Sequence, residues 1–310
     1  MPTVETVLGP VPPSRLGHCQ AHEHLITGRT PAAERNPALR IDDEEKSRLE
    51  LQDYRAAGGG AVLDAQPGGA GRDALALSRI SRMSGVAIVT VTGYHRPLFY
   101  PADAALFAES EAVLFERFLM ELTVGVADGG RRLSIRAGAV KAALGAESLS
   151  GRAGEMLRAA ARAAARANAA LVLHTEAGTD AVAAVGLCER AGLDPARVLL
   201  CHLDRQAEDF RPHEAAAMTG AYLEYDTIGR FKYHDDEREA RLILHMMEKG
   251  YRDRLLLSLD TTAERLGRYG GAISLTYLIE RFLPRLRAAG VPEEDLLAIT
   301  RTNPARALAG

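Results

Sequence analysis

Eight short apolar runs, separated by stretches of helical character, limit what this 310-residue chain can fold into. They fall at residues 17–25, 58–66, 85–95, 133–144, 169–177, 197–205, 220–229 and 254–262. Several are nearly continuous Val, Leu, Ile and Ala, the pattern of parallel strands covered by helices on both faces. Between the runs, 43–57 and 102–122 carry charges at helical spacing, and 152–169 is an Ala/Arg-rich segment of high helix propensity. Strand alternating with helix eight times predicts an α/β fold closed into a (β/α)8 TIM barrel rather than an open sheet. Residues 1–16 are expected to form a short strand or hairpin over one end of the barrel. No low-complexity linker or internal repeat interrupts the pattern, so 1–310 reads as one domain.

Composition removes several function classes. The formal net charge is -3, without the clustered basic excess that a nucleic-acid surface needs. The arginines of 152–169 read as a solvated helix face. Cys19, Cys188 and Cys201 are too few and too scattered for a disulfide framework, which fits a reducing cytoplasm and small buried side chains. The first residues, MPTVETVLGPVPPSRLGH, lack the apolar stretch of a secretory signal, and no window approaches the roughly 20 apolar residues of a membrane span. A cytoplasmic protein without membrane or nucleic-acid partners is expected.

The runs end in residues that a core would not choose: His22 and His24 in the first, Lys141 in the fourth, His174 in the fifth, His202 in the sixth and Asp260 in the eighth. Active sites of such barrels are assembled at the C-terminal ends of the strands, so these side chains converge on one mouth. His22 and His24 stand at i and i+2, which turns both imidazoles to the same face of a strand. A lone buried His is usually a satisfied core residue. Two on one strand face, with two more at equivalent strand ends, point instead to metal, since neutral imidazole and carboxylate both suit divalent ions. Four His and one Asp are too few for two metal shells without a bridging anion. Lys141 is then either structural, paired with a carboxylate at the barrel end, or an amine of depressed pKa that carbon dioxide converts to a bridging carbamate.

The segments AHEHL, GAVKAAL, LHTEAGT, LCHLDR and LSLDTT, with TGYHRPLFYP and the closing NPARAL, resemble in order the phosphotriesterase family of the amidohydrolase superfamily. The likeness runs from about Gly17 to the end of the chain. It implies that His22, His24 and Asp260 hold a more buried metal and that His174 and His202 hold a more exposed one. Carbamylated Lys141 and a hydroxide would bridge the two. Some relatives place Glu where others carry this Lys; here Lys141 stands, which favours the carbamate. Zinc is the first expectation for the metals, with manganese and cobalt as alternatives. Asp260 would take the nucleophile's proton and pass it to the leaving group. Thr175, Glu176 and Asp204 lie beside the ligands and are candidates to orient them. Asp204 could equally be a helix cap.

The segment IGRFKYHDD is similar to a lactonase-like branch that opens phosphorylated sugar lactones, which would make Lys232 the phosphate anchor; the alternative is a surface Lys on a charged loop. That branch adds an Arg three residues and a Tyr six residues after the last-strand Asp, where this chain has Ala263 and Leu266. Arg265, Arg268 and Tyr269 are close by in a different register, and Arg265 is the candidate for a shifted clamp. Tyr94 or Tyr100, after the third strand, would polarise the substrate carbonyl unless they are loop packing. Tyr225, Asp226 and Arg230 close the seventh strand and could shape the pocket. The lead expectation is a lactonase or carboxyl-esterase acting on a small-molecule ester. The alternatives are a phosphotriester hydrolase and a barrel that binds without chemistry. The last would be expected to have dropped one of the six ligands. Barrels of this type often form homodimers, and nothing in the sequence names an interface.

Overall fold

The computed structural model describes residues 2–147 and 149–310. An antiparallel hairpin, β1 (Val4–Thr6) and β2 (Gly9–Val11), precedes the barrel. Val4 packs among side chains of the barrel interior, and Val7 N donates to Ile88 O at 2.8 Å, so the hairpin plugs the N-terminal end as expected. The barrel strands begin with β3 (His18–Glu23), β4 (Gly59–Asp64) and β5 (Ala87–Gly93). A two-residue hairpin follows, β6 (Ala127–Asp128) with β7 (Arg131–Arg132). The remaining barrel strands are β8 (Ala139–Ala143), β9 (Ala170–His174), β10 (Val198–Cys201), β11 (Tyr222–Tyr225) and β12 (Leu255–Leu257). Neighbours pair in parallel in this order from β3 to β12.

The two apolar layers follow the period of two. Ala139, Ala170, Val172, Leu199, Cys201 and Tyr222 point into the barrel, whereas Val140, Leu171, Leu173, Val198, Leu200 and Leu223 pack outward against helices. Glu44–Ala56 and Arg152–Ala167 form helices where the charge spacing and propensity predict them. In the second, Arg158 and Arg162 both reach Glu111, so that face is spent on ion pairs. The expected helix 102–122 starts only at Glu111, capped by the Ser110 hydroxyl, which accepts from Val113 N.

The fourth apolar run needs correction. Its first residues extend the β6–β7 hairpin, with Leu133 N bonded to Val126 O at 2.9 Å, and the barrel strand begins at Ala139. Lys141 consequently sits in mid-strand rather than at the strand end. Gly93 lets β5 approach it: with φ at +104°, a Cβ there would lie 1.9 Å from Lys141 O.

The seam between β3 and β12 is closed by side chains as much as by backbone. Asp260 N reaches His22 O at 3.3 Å, and His22 N donates to Ser258 Oγ at 3.0 Å. The buried Glu23 carboxylate accepts from Leu259 N at 2.7 Å and Thr261 N at 3.0 Å. Among the described residues, no helix is long and apolar enough to cross a membrane.

Candidate metal centre

His22 lies in β3 and His24 just beyond its end, after a register irregularity between Gln20 and Glu23, and the inward face of β8 carries Lys141. β9 ends on His174. His202 and Asp260 follow β10 and β12 in the left-handed region, with φ of 69° and 47°. Few non-glycine residues adopt that conformation; at His202, directly after the inward-facing Cys201, it brings in a side chain that strand alternation would point outward.

All six side chains meet in one place and form two clusters. In the first, His22 Nε2 lies 3.2 Å from Lys141 Nζ, and His24 Nε2 lies 3.3 Å from Asp260 Oδ1. His22 Nε2 and Asp260 Oδ1 are 3.9 Å apart. In the second, His202 Nε2 faces His174 Nδ1 at 2.8 Å. Burial is the main reason that the imidazoles of His22, His174 and His202 are held well below their usual pKa, which leaves them neutral and able to ligate. Burial also lowers the Lys141 ammonium, the direction that favours a free amine. For Asp260 burial acts upward, but Arg230, His202 and His24 outweigh it and hold the carboxyl well below its ordinary range. Nitrogen and carboxylate donors gathered this closely suit divalent ions, and His22, His24 and Asp260 together could hold one.

Side chains behind the expected ligands contact His174 and Asp260. Glu176 Oε1 takes His174 Nε2 at 2.9 Å and Arg96 Nη1 at 2.7 Å. Arg230 Nη1 and Arg205 Nη2 both contact Asp260 Oδ2, the latter at 3.3 Å. Asp204 is no helix cap: its Oδ2 accepts from Thr227 N at 2.6 Å and Thr227 Oγ1 at 2.7 Å. Thr175 Oγ1 donates to Cys201 O at 2.7 Å, bracing β9 against β10.

A cleft of about 280 Å³ opens over the clusters, walled by His95, Arg96, Phe99, Arg205, Arg230, Lys232 and Tyr233. Lys232 is exposed at its rim, with Nζ 4.9 Å from the centre of the Tyr233 ring. Three other expected substrate contacts lie elsewhere. Tyr94 points outward and stacks on Phe118 at 6.4 Å, in the layer between strands and helices. The Tyr100 hydroxyl accepts from His95 N at 3.0 Å, and its ring packs on Phe107. Arg265 is buried, and its guanidinium donates to the carbonyls of Leu259, Asp260 (3.0 Å) and Ile228 (2.7 Å), so it braces the loop that carries Asp260.

His95 takes the wall position proposed for a tyrosine. Its Nδ1 accepts from Arg96 N at 2.7 Å. Burial holds the ring neutral, so its proton is on Nε2. Period two in β5 would have shown Tyr94 facing outward, because Val89 and Val91 face in. It would equally have put Asp226 inward with Tyr222 and Glu224.

The sequence matches the phosphotriesterase family over residues 2–308. It is 27% identical to a phospho-furanose lactonase of Mycoplasmopsis synoviae, aligned over 98% of this chain and 91% of that protein. It is 28% identical to an N-acetyltaurine hydrolase of Rattus norvegicus, over 97% and 96% respectively. The solved structure of a lactonase from Listeria monocytogenes superposes with a TM-score of 0.90 at 27% identity, covering 99% of this chain and 98% of that one. With the family model matched along nearly its whole length, the chain belongs to the phosphotriesterase family.

Proposed function

We propose that this protein is a two-metal hydrolase that opens a small lactone bearing an anionic group. The observation that carries the reading is the meeting of two donor clusters under a cleft whose walls hold Arg96, Arg205, Arg230 and Lys232. His22, His24 and Asp260 would hold one ion and His174 and His202 the other, with zinc, manganese or cobalt all suited to these donors. The Lys141 amine, by adding to carbon dioxide and losing a proton, would become a carbamate and so would supply the anionic donor that the two shells lack. When bound, such a pair of ions activates water at neutral pH and polarises the oxygen of the bond under attack.

The protein's own groups divide the remaining work. Asp260, kept ionised by Arg230, is placed to accept a proton at its carboxylate and return it to the leaving oxygen. His95, itself buried, offers an Nε2–H to oxygen on the substrate as a fixed donor. The cationic wall orients a negative substituent, with Lys232 as a point charge at the rim. An anionic small molecule also suits the relatives' names, since a phospho-furanose carries phosphate and N-acetyltaurine a sulfonate.

Proton release by metal-loaded protein tests this against γ- and δ-lactones with and without phosphate, alongside a phosphotriester and N-acetyltaurine. Turnover restricted to phosphorylated lactones is expected, and Lys232→Ala should raise their KM by about fivefold, the loss of one exposed charge contact worth roughly 1 kcal/mol. Turnover of plain lactones alone would remove the anion requirement. Silence on every lactone with activity on the phosphotriester or the amide would replace the reading.

A further inference from the structure

Asp226 follows β11 and continues its inward face after Tyr222 and Glu224. The carboxylate is wholly buried and straddles the two donor clusters. Its Oδ1 lies 2.7 Å from Nδ1 of His202, and its Oδ2 lies 3.1 Å from Nδ1 of His22. The first contact is a hydrogen bond; the second is close in distance, although the N–H direction misses a straight line. In both rings the opposite nitrogen, Nε2, is the one that faces the metal clusters.

We infer that Asp226 is a positioning residue shared by both metal subsites, fixing one imidazole of each through its two carboxylate oxygens and so coupling their affinities. An imidazole can ligate through Nε2 only if its proton is on Nδ1, and a buried acceptor at Nδ1 holds it there. Each oxygen serves a ring from a different cluster. Glu176, by contrast, backs His174 alone among the ligands. Movement of the Asp226 carboxylate is therefore felt at both ions, whereas movement of Glu176 is felt at one.

The inference rests on the two-metal reading, and the test separates the two. Metal content of the full chain is followed through a graded chelator titration, by elemental analysis, for wild type, Asp226→Asn, Asp226→Ala and Glu176→Gln. An amide keeps the shape of Asp226 but accepts on one side only. The ring facing its NH2 must present a lone pair from Nδ1, which moves its proton to the ligating nitrogen. Asp226→Asn should therefore retain one ion near wild-type affinity and weaken the other by about 10–100-fold, the usual effect of losing a ligand's outer partner. Asp226→Ala should weaken both. Glu176→Gln should weaken one and leave the other unchanged.

Wild-type metal affinities in Asp226→Asn would overturn the inference, and so would a fall in melting temperature with the metal titration unchanged, the mark of a purely structural role. Should the variants fail to fold, 15N shifts of histidine-labelled, metal-loaded wild type decide alone. Nδ1–H tautomers at His22 and His202 are expected, and ligation of either ring through Nδ1 refutes the shared role. If wild type takes up fewer than two ions, the two-metal reading has failed instead; absence of lactone turnover leaves these metal readouts intact.

Discussion

Replacing Arg265 by Met separates a structural brace from a substrate clamp. The side chain is buried, and its guanidinium serves the carbonyls of Leu259, Asp260 and Ile228. Burial, helped by Arg230, pushes its pKa down to about 10, so it remains charged at neutral pH. A hydrogen bond to a charged group contributes about 1.5–3 kcal/mol, which puts the three together at roughly 5–9 kcal/mol. Relief of the guanidinium's own desolvation offsets part of this, and water entering the vacated space restores a further part. A net loss of about 3–5 kcal/mol remains, or a melting temperature lower by roughly 8 °C. The loop released is the one that holds Asp260 in its left-handed conformation, so kcat should fall along with stability while KM for a phosphorylated lactone stays near wild type. Denaturant unfolding and steady-state kinetics on the same metal-loaded preparation read both quantities. Unchanged stability with a raised KM would refute the brace and restore Arg265 as a substrate contact.

Three further outcomes are expected. Lys141→Ala should lose bound metal and activity together, with partial recovery when short carboxylic acids stand in for the carbamate; full metal content and rate by elemental analysis and assay would remove Lys141 as a bridge. His95→Phe should lower kcat by about 10²–10³, the usual effect of deleting one preorganised donor, without changing metal content. A wild-type kcat would show that His95 is wall packing alone. At the opposite end of the barrel, burial lowers the His18 imidazole to about 4, so the folded protein holds it neutral while the unfolded chain takes up a proton near 6.5. The unfolded state binds more protons between these values, so stability should be complete above pH 6.5 and fall by about 3 kcal/mol by pH 4. His18→Gln should flatten this slope in unfolding measurements, and an unchanged slope would count against the assignment.

The barrel was legible because its strands are covered on both faces and therefore read as continuous apolar runs, with no tertiary information needed. Their ends were less legible. β10 stops at Cys201, where His202 leaves the strand through left-handed backbone, and β12 stops at Leu257, three residues before the left-handed Asp260, both short of the runs that contain them. Neither side chain favours that conformation enough to mark it in a sequence. The fourth run spans two unrelated elements, since apolar residues serve the β6–β7 hairpin as well as the barrel.

Within the site, legibility follows where each side chain's partners lie. His22, His24, His202 and Asp260 reach the site through the irregular end of β3 or from beyond the ends of β3, β10 and β12, whereas strand alternation places Lys141 and His174, and the structure brings all six together. Tyr94 belongs to the regime of the last two: the phase of β5 places it outward, so the alternation that located Lys141 and His174 argued against it. Tyr100 and Arg265 belong to another. Each sits in a loop, and each is drawn from the cleft by a backbone group, His95 N for one and three carbonyls for the other, whose position exists only once the loops have folded. Arg205 and Arg230 show the converse, since only the folded loops carry them over Asp260. The chemistry common to a family therefore resides in strand-borne side chains that pattern can reveal, while the choice of substrate resides in loops, where an Arg becomes a brace or a clamp according to which carbonyls lie within its reach.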